Sequence, residues 1–237
     1  MKKHNSYVLA LAFTMSSLAL VAVGCGSDPD GTPGGGGGAG GSNTGGGGTS
    51  GGTLGAIKGT AVATFASDVE MFKMNNYADP ASINLYSGMA VVPTHSATEG
   101  SPTPGALTIA APYTDYMQYV EVIKDFGETT PQDWTGKTKL YARVKVAAGG
   151  GNPDVNSPMG IIVFVQSFVA GVFTYSGGVY TNLAPGNAWQ EFSWTAPNGF
   201  DVSKIRLIGV QVTAGQGSLT AAKPTMATVY VDSFSIE

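Results

Sequence analysis

The sequence predicts an all-β fold for residues 56–237, arranged as a two-sheet antiparallel jelly-roll sandwich. Short runs rich in Val, Ile, Phe, Tyr and Thr recur along this segment, and clusters of Gly, Pro, Asn and Asp separate them. That pattern is typical of strands joined by turns, and capped runs with helical spacing are nearly absent. The 182 residues of this segment suffice for one domain with a substantial core.

Ten strands follow from the positions of these runs. We expect them at about 59–66, 83–91, 106–111, 116–124, 138–147, 160–168, 171–176, 189–195, 204–213 and 227–236. The pieces between them, such as 93–105, 147–158 and 183–189, are rich in turn-forming residues and are predicted to be loops.

Alternation along three of these strands separates an inner face from an outer face, because residues two apart share a face. The runs 140–146, 161–165 and 208–212 each place apolar residues on one side, which we assign to the core. The outer sides of the same strands then hold Tyr141, Arg143, Phe164, Gln166 and Gln211. Aromatic rings can stack on the C–H faces of sugars, and amide and guanidinium groups can pair with hydroxyls, so this set favours carbohydrate binding. A solvated outer face without a ligand is the alternative.

A second aromatic group lies in "VFTYSGGVYTNL" (172–183), which we interpret as a hairpin around Gly177-Gly178. Tyr175 and Tyr180 would lie near its edge, where they could line a binding cleft or fasten the hairpin to the sheet. Of the tryptophans, Trp134 and Trp194 are predicted to be core residues.

Several segments resemble the β-jelly-roll carbohydrate-binding modules of the galactose-binding-like fold, in particular those attached to mannanases and β-glucanases. The similar pieces are "DWTGKTKLYARVKV", "GIIVFVQS", "GNAWQEFSW" and "IRLIGVQV…TVYVDSFSIE", which together span about residues 125–237. The resemblance implies that the concave face of one sheet binds an oligosaccharide through Arg143, Phe164, Gln166 and Gln211. It also implies a structural calcium as a candidate cofactor, with Asp232 and either Asp68 or Glu70 as ligands; a plain surface aspartate is the alternative.

The N-terminus carries Lys2 and Lys3, then an uncharged apolar run from about Tyr7 to Val23, and then the only cysteine of the chain, Cys25. A basic start, a short apolar core and a small-residue exit are typical of a secretory signal peptide, and a membrane-spanning helix is the weaker interpretation. The piece "AVGC" resembles a bacterial lipobox, which implies that residues 1–24 are removed and that Cys25 is lipidated. Ordinary signal cleavage beside an unmodified cysteine is the alternative.

Residues 25–55 are predicted to be a flexible tether. Sixteen of the 30 residues from Gly26 to Gly55 are glycine, and such a tract cannot bury enough apolar surface to offset its ordering entropy. Gly26, rather than aspartate, follows the cysteine, and by resemblance to Gram-negative lipoproteins this favours the outer membrane or cell surface.

Charge and residue counts narrow the function classes. Residues 56–237 carry 10 Lys and Arg against 14 Asp and Glu without basic blocks, so no nucleic-acid partner is expected. His95 is the only histidine of this segment, which disfavours a His/Cys zinc site or a catalytic triad. Together with the resemblance above, which implies polysaccharide of the β-glucan or mannan type as ligand, these counts lead us to expect a monomeric, non-enzymatic binding module. A structural or adhesive envelope lipoprotein is the alternative, and a jelly-roll hydrolase or lyase with paired carboxylates is a further one.

Overall fold

The computed structural model describes residues 54–75, 91–113, 118–148, 159–184, 187–214 and 225–237. Cys25, the predicted signal peptide, nearly all of the tether and most of the predicted strand 83–91 lie outside these residues. Contacts divide the chain into two units, Met1–Thr44 and Gly45–Glu237, and every described residue belongs to the second.

Twelve strands are present in the described residues. They are β1 (Thr60–Ala63), β2 (Lys73–Met74), β3 (Thr94–Ser96), β4 (Ala106–Tyr113), β5 (Tyr119–Asp125), β6 (Lys139–Val146), β7 (Gly160–Val169), β8 (Val172–Gly177), β9 (Thr181–Asn182), β10 (Gln190–Thr195), β11 (Ile205–Thr213) and β12 (Thr225–Ile236). One 3-10 turn, Val202–Lys204, precedes β11. No helix long and apolar enough to cross a bilayer occurs in this part of the chain.

The strands form two antiparallel sheets, which confirms the predicted all-β sandwich. Sheet A has the order β10-β6-β12-β4-β3, with β1 also paired to β12. Sheet B has the order β2-β5-β11-β7-β8, with β9 also paired to β7. Every paired strand runs antiparallel to its neighbour.

The core lies between the sheets, on the faces that alternation predicts. Leu140, Ala142, Val144 and Val146 are buried on β6, as are the predicted inward residues of β7 and β11. Trp134 and Trp194 are also buried, as predicted. At one end of the core, the ring centroids of Phe72 and Phe234 stack at 5.0 Å.

Two local predictions are wrong. The hairpin in the aromatic segment turns at Ala170-Gly171, where both residues have positive φ, and not at Gly177-Gly178. Two central residues with positive φ suit a two-residue hairpin, because their backbone twist matches that of the flanking strands. At Gly177-Gly178, by contrast, the strands on either side, β8 and β9, both pair with β7 instead of with each other. The predicted loop 93–105 contains the short strand β3, which pairs with the start of β4.

Candidate binding site

The sheet topology divides the predicted site residues between two opposite surfaces. Tyr141 and Arg143 lie on β6 of sheet A, whereas Phe164, Gln166 and Gln211 lie on β7 and β11 of sheet B. The outer faces of two stacked sheets point away from each other, so no single surface can hold all five side chains. The expectation of one shared face is therefore wrong for Tyr141 and Arg143.

Arg143 is only 3% exposed because other segments cover it. Its Nη2 donates to the carbonyl oxygen of Ala56 at 2.6 Å, its Nη1 donates to that of Ser101 at 3.3 Å, and its Nε lies 3.5 Å from Glu191 Oε2. These partners fasten the segment before β1 and the loop before β4 onto sheet A. Arg143 therefore acts as a structural cation in this fold.

Tyr141, two residues before Arg143 on β6, also contacts charged side chains. Its hydroxyl donates to Glu237 Oε2 at 2.8 Å, and the Lys58 ammonium lies 4.8 Å from the ring centroid. Burial, followed by the hydrogen bond to Glu237, raises the pKa of Tyr141 to about 12, so its hydroxyl remains a donor at neutral pH.

The outer face of sheet B carries two adjoining cavities of about 180 and 110 Å³, which we call the trough. Asn75, Gln166 and Leu207 line both cavities. The other lining residues are Glu121, Ile123, Asp125, Phe164, Phe173, Tyr175 and Arg206. The structure therefore brings Phe164, Gln166 and Tyr175 together, and it adds Asn75, which follows β2, and side chains from β5, β8 and β11.

One wall of the trough is aromatic. Tyr175 is 51% exposed, and its ring centroid lies 5.4 Å from that of Phe164, which is only 1% exposed. Tyr175 thus offers a ring surface to solvent while Phe164 supports it from below. Burial, with a smaller contribution from the charge of Glu121, raises the pKa of Tyr175 and keeps its hydroxyl protonated.

The opposite wall is polar, and the sequence analysis missed it. The Asn75 amide donates from Nδ2 to Glu121 Oε2 at 2.6 Å, and the backbone N–H of Asn75 donates to the Glu121 carbonyl at 2.9 Å. Burial raises the pKa of Glu121, and the hydrogen bond from Asn75 opposes that rise. The signal was available, since Val120 and Val122 are core residues and alternation turns Glu121 outward.

One end of the trough is closed by Arg206. Its guanidinium lies 4.6 Å from the Phe173 ring centroid and pairs with Asp125 at 3.3 Å and with Glu128 at 2.9 Å. Burial by itself would raise the pKa of Asp125, but hydrogen bonds from Arg206 and from the Gly127 N–H outweigh it, and the pKa is lowered. The Arg206 charge is thus shared with two carboxylates.

Gln211 and Tyr180 lie on the same outer face, outside the two cavities. Gln211 Nε2 donates to Thr213 Oγ1 at 3.0 Å, and Gln211 is paired in register with Glu121 and Ile162. Tyr180 is 46% exposed, and its ring lies over Gly160, four residues before Phe164 on β7. A binding role for these residues stays a prediction.

The predicted calcium ligands are already used as hydrogen-bond acceptors. Glu70 Oε1 accepts from the N–H groups of Thr64 at 2.8 Å and Phe65 at 2.7 Å, and its Oε2 lies 3.5 Å from Lys124 Nζ. Asp232 Oδ1 accepts from the Ser101 N–H at 2.7 Å, and burial raises its pKa. Asp68 Oδ1 accepts from the Glu70 N–H at 2.6 Å.

Within the described ranges, no three His, Cys, Asp or Glu side chains lie together as a metal would need. The carboxylates of Glu70 and Asp232 each lie near a cation, Lys124 and Arg143 respectively. A calcium ion would have to compete with those partners, and the calcium site stays a prediction.

A larger cavity of about 500 Å³ lies where β10 meets residues 177–181. Its lining includes Glu191, whose carboxylate is held by Lys58 at 2.5 Å and by Arg143. Phe192 is the one aromatic residue among the described residues of this lining, and it is 8% exposed.

Comparison with protein-family models finds no match, and comparison with curated proteins finds none either. Among solved structures, this chain is similar to a β-sandwich carbohydrate-binding module of promiscuous specificity, with 13% sequence identity, coverage of 76% of this chain and 63% of that chain, and a TM-score of 0.48. It is also similar to the CBM22-1 xylan-binding domain from Paenibacillus barcinonensis, with 11% identity, coverage of 76% of this chain and 97% of that chain, and a TM-score of 0.49. A third is the family 11 carbohydrate-binding module of Clostridium thermocellum in complex with a β-1,3-1,4-mixed-linked tetrasaccharide (11%, 75% and 94%, TM-score 0.45).

This chain therefore spans less than two thirds of the first of those structures. All three similarities have TM-scores below 0.5. The sheets and the trough define the molecule as a two-sheet antiparallel β-sandwich with an open, aromatic-walled groove on one outer face.

Proposed function

We propose that this domain binds polysaccharide non-covalently in the trough, with chains of the β-glucan or mannan type as its ligands. The observation that carries the proposal is the trough itself, in which the exposed Tyr175, the Asn75–Glu121 pair and Gln166 line one cavity. A ring can cover the apolar face of a pyranose, and an amide and a carboxylate can accept from its hydroxyls while amides also donate.

The positions of the acids support binding without catalysis. Glycoside hydrolysis requires two carboxyl groups roughly 5–9.5 Å apart across the scissile bond. The two acids that line the trough, Glu121 and Asp125, lie on the same strand four residues apart, which corresponds to roughly 13 Å. Asp125 is also neutralised by Arg206.

The setting of the domain is part of the proposal. The lipobox-like "AVGC" and the glycine-rich segment after it support a lipid-anchored module on a flexible tether at the bacterial cell surface. Such a tether would let the trough reorient toward a polymer that is itself fixed in space.

The test is affinity electrophoresis of the full chain carrying Cys25→Ser, in gels containing mannan, mixed-linkage glucan, xylan or hydroxyethylcellulose. We expect retardation by mannan or by a β-glucan. Tyr175→Ala should weaken it by roughly tenfold, because a stacked ring contributes about 1–1.5 kcal/mol, and Gln166→Ala should weaken it less. A repeat with chelator and with added calcium tests the calcium prediction.

Tyr230→Ala and Gln132→Ala are matched controls, since Tyr230 lies on sheet A beside Lys145 and Gln132 is exposed and is not among the lining residues of either cavity. Both should migrate like the parent chain. Free migration of the folded parent in all gels would reject the proposal in favour of a structural envelope protein. Equal losses in the trough variants and the controls would reject the trough as the site.

A further inference from the structure

Arg206 lies at a break in the regular alternation of β11. The partners of its two neighbours, Ile205 and Leu207, are consecutive residues of β7, so Arg206 is the extra residue of a β-bulge. Ile205 packs in the core between the sheets, whereas Leu207 packs on the outer face of sheet B. Residues two apart on a regular strand would share a face, so the bulge changes the side on which the side chains lie.

The bulge brings the side chain of Arg206 to the trough. Regular alternation from the core residues Ile208 and Val210 would turn Arg206 toward the core as well. Instead, the adjacent residues Arg206 and Leu207 both line the trough. Bulges that re-aim a side chain are over-represented next to active sites. Here the bulge places a cation beside the aromatic wall of the trough.

Two carboxylates orient the guanidinium group of Arg206. Its Nε and Nη2 donate to the two carboxylate oxygens of Asp125, at 3.3 and 3.5 Å, and its Nη1 donates to Glu128 Oε1 at 2.9 Å. A two-pronged pairing of this kind restricts the planar group more than a single ion pair would. In this orientation the guanidinium carbon lies 4.6 Å from the centroid of the Phe173 ring, which is within cation–π range. The carboxylates thus hold the cation, and the cation contacts the ring.

Phe173 is packed by its neighbours but is not covered by them. Its ring centroid lies 4.6 Å from that of Phe168, its register partner on β7. Phe168 and Arg206 therefore both restrict the ring, yet Phe173 is 40% exposed. Ordering a mobile side chain is one of the costs of binding. An exposed aromatic side chain that is already held in place avoids much of that cost when a ligand stacks on it.

Phe173 and Tyr175 form a pair along β8. They are two residues apart on one strand, so they lie on the same face with their Cα atoms roughly 7 Å apart. Phe173 lines one of the two adjoining cavities and Tyr175 lines the other. A pyranose ring is similar in size to a phenyl ring, so one sugar can stack on one of these residues. Contact with both requires a second sugar.

We propose that Arg206 is a positioning residue that holds Phe173 as a second sugar-stacking contact beside Tyr175. The trough then binds at least two sugars of one chain, and its affinity increases with the length of the ligand until both rings are covered. This inference rests on the proposed function and adds to it a minimum ligand length. Arg206 acts through Phe173 and needs no contact of its own with the sugar.

The experiment measures affinity as a function of ligand length. The full chain with Cys25→Ser is titrated by calorimetry with gluco- and manno-oligosaccharides of two to six sugars. We expect a gain of roughly fivefold in affinity between ligands that are too short to contact both rings and ligands that are long enough. Phe173→Ala should lose this gain, because it removes the second ring, while it binds the shortest ligands as the parent does.

Arg206→Lys separates positioning from stability. Lysine keeps a cation for Asp125 and Glu128 but lacks the planar group that lies against Phe173. We expect urea unfolding close to that of the parent, together with a smaller gain of affinity with ligand length. Arg206→Met, which also removes the cation, should lose the whole gain. A residue with a purely structural role would change unfolding and would affect short and long ligands alike.

Val172→Ala and Lys204→Met are the matched controls. Val172 adjoins Phe173 on β8, lies on the opposite face of that strand and is 61% exposed. Lys204 is an exposed cation two residues before Arg206. Neither is among the described residues that line the trough. Both variants should keep the length dependence of the parent.

The outcomes separate the two proposals. If the folded chain binds neither these oligosaccharides nor the polymers named above, the proposed function fails, and this inference fails with it. If they bind and Phe173→Ala keeps the length dependence of the parent, binding stands and the second contact is overturned. Retention of polymer without binding of any oligosaccharide would also overturn it, because the proposed contacts span only neighbouring sugars. A length dependence that both Arg206 variants keep, or that the controls lose equally, would overturn the positioning role of Arg206.

Discussion

The outer faces of the two sheets arise from the same strand alternation, yet they form opposite kinds of surface. On sheet A, Arg143 and Lys145 are 3% and 6% exposed, because the segment at Ala56 and the loop at Glu99–Ser101 lie across them. On sheet B, Tyr175 and Phe173 are 51% and 40% exposed, and the trough between them and β5 is open to solvent. Covered charges stabilise the first face, and uncovered rings make the second available to a ligand.

The difference shows that an outward direction does not imply exposure. Alternation gives the side of the sheet on which a side chain lies, but a distant segment decides whether water reaches it. By residue type Arg143 could bind a ligand, but its surroundings are those of a structural residue. A polar residue that other segments both cover and hydrogen-bond, as they do Arg143, is therefore a poor site candidate.

The largest effect that distinguishes the faces is expected for Arg143→Met. The substitution removes a buried cation whose partners are two carbonyl oxygens and Glu191, and it leaves those groups without their donor. Loss of one member of such a buried pair costs about 3 kcal/mol or more. Urea unfolding should show this loss, while the folded protein should bind glycan as the parent does. Weakened binding at unchanged stability would contradict the assignment of Arg143 as structural.

The sequence predicts the fold better than it predicts the site, for a physical reason. The core-facing positions of β6, β7 and β11 are apolar at every second residue. This pattern shows both that each segment is a strand and which of its faces is buried. Which strands share a sheet depends on pairing between distant segments, and nothing in "LYARVKV" or "IIVFVQS" identifies the partner strand. Alternation alone consequently places Tyr141 and Arg143 in one predicted set with Gln166. Alternation turns Glu121 outward, but no local pattern shows that it meets Asn75, because their contact joins residues 46 apart in sequence.

A smaller loss, shared between stability and binding, is expected for Gly209→Ala on sheet B. A Cβ at this position would lie 2.6 Å from the Val122 carbonyl oxygen and 2.7 Å from Phe164 Cζ. Overpacking of this kind costs about 1–3 kcal/mol, and displacement of Phe164 would also disturb its support of Tyr175. Urea unfolding and gel retardation should both change. Gly55→Ala, which has open space around its Cβ, is the control, and equal behaviour of the two variants would contradict the packing seen here.

The two acids of the trough should give pH effects of opposite sign. The pKa of Glu121 is raised from its ordinary value of 4.5, so its ionisation opposes folding as pH rises through and above that value. Glu121→Gln should therefore match the parent in stability below pH 4.5 and exceed it at neutral pH. The pKa of Asp125 is lowered from 3.8, so its contribution is present above that value and is lost as pH falls through the lowered pKa.

Asp125→Asn should accordingly be less stable than the parent at neutral pH and should approach it in acid. Urea unfolding of the three proteins between pH 3 and pH 7 measures both trends in one series. Parallel curves for the two variants would show that both carboxylates experience the same environment, and would remove the distinction between the two ends of the trough.

The smallest effect is expected for Lys58→Ala, which tests how sheet A is covered. Lys58 pairs with Glu191 at 2.5 Å, but its side chain is 54% exposed, and such surface pairs contribute roughly 0–1 kcal/mol. The loss should disappear in high salt, because exposed charges are screened. The loss in Arg143→Met should persist in high salt, because its partners are buried or backbone groups. If Lys58→Ala destabilised the protein as strongly as Arg143→Met, the segment before β1 would be held by its exposed charge. The contrast between the covered face of sheet A and the open face of sheet B would then need a different physical basis.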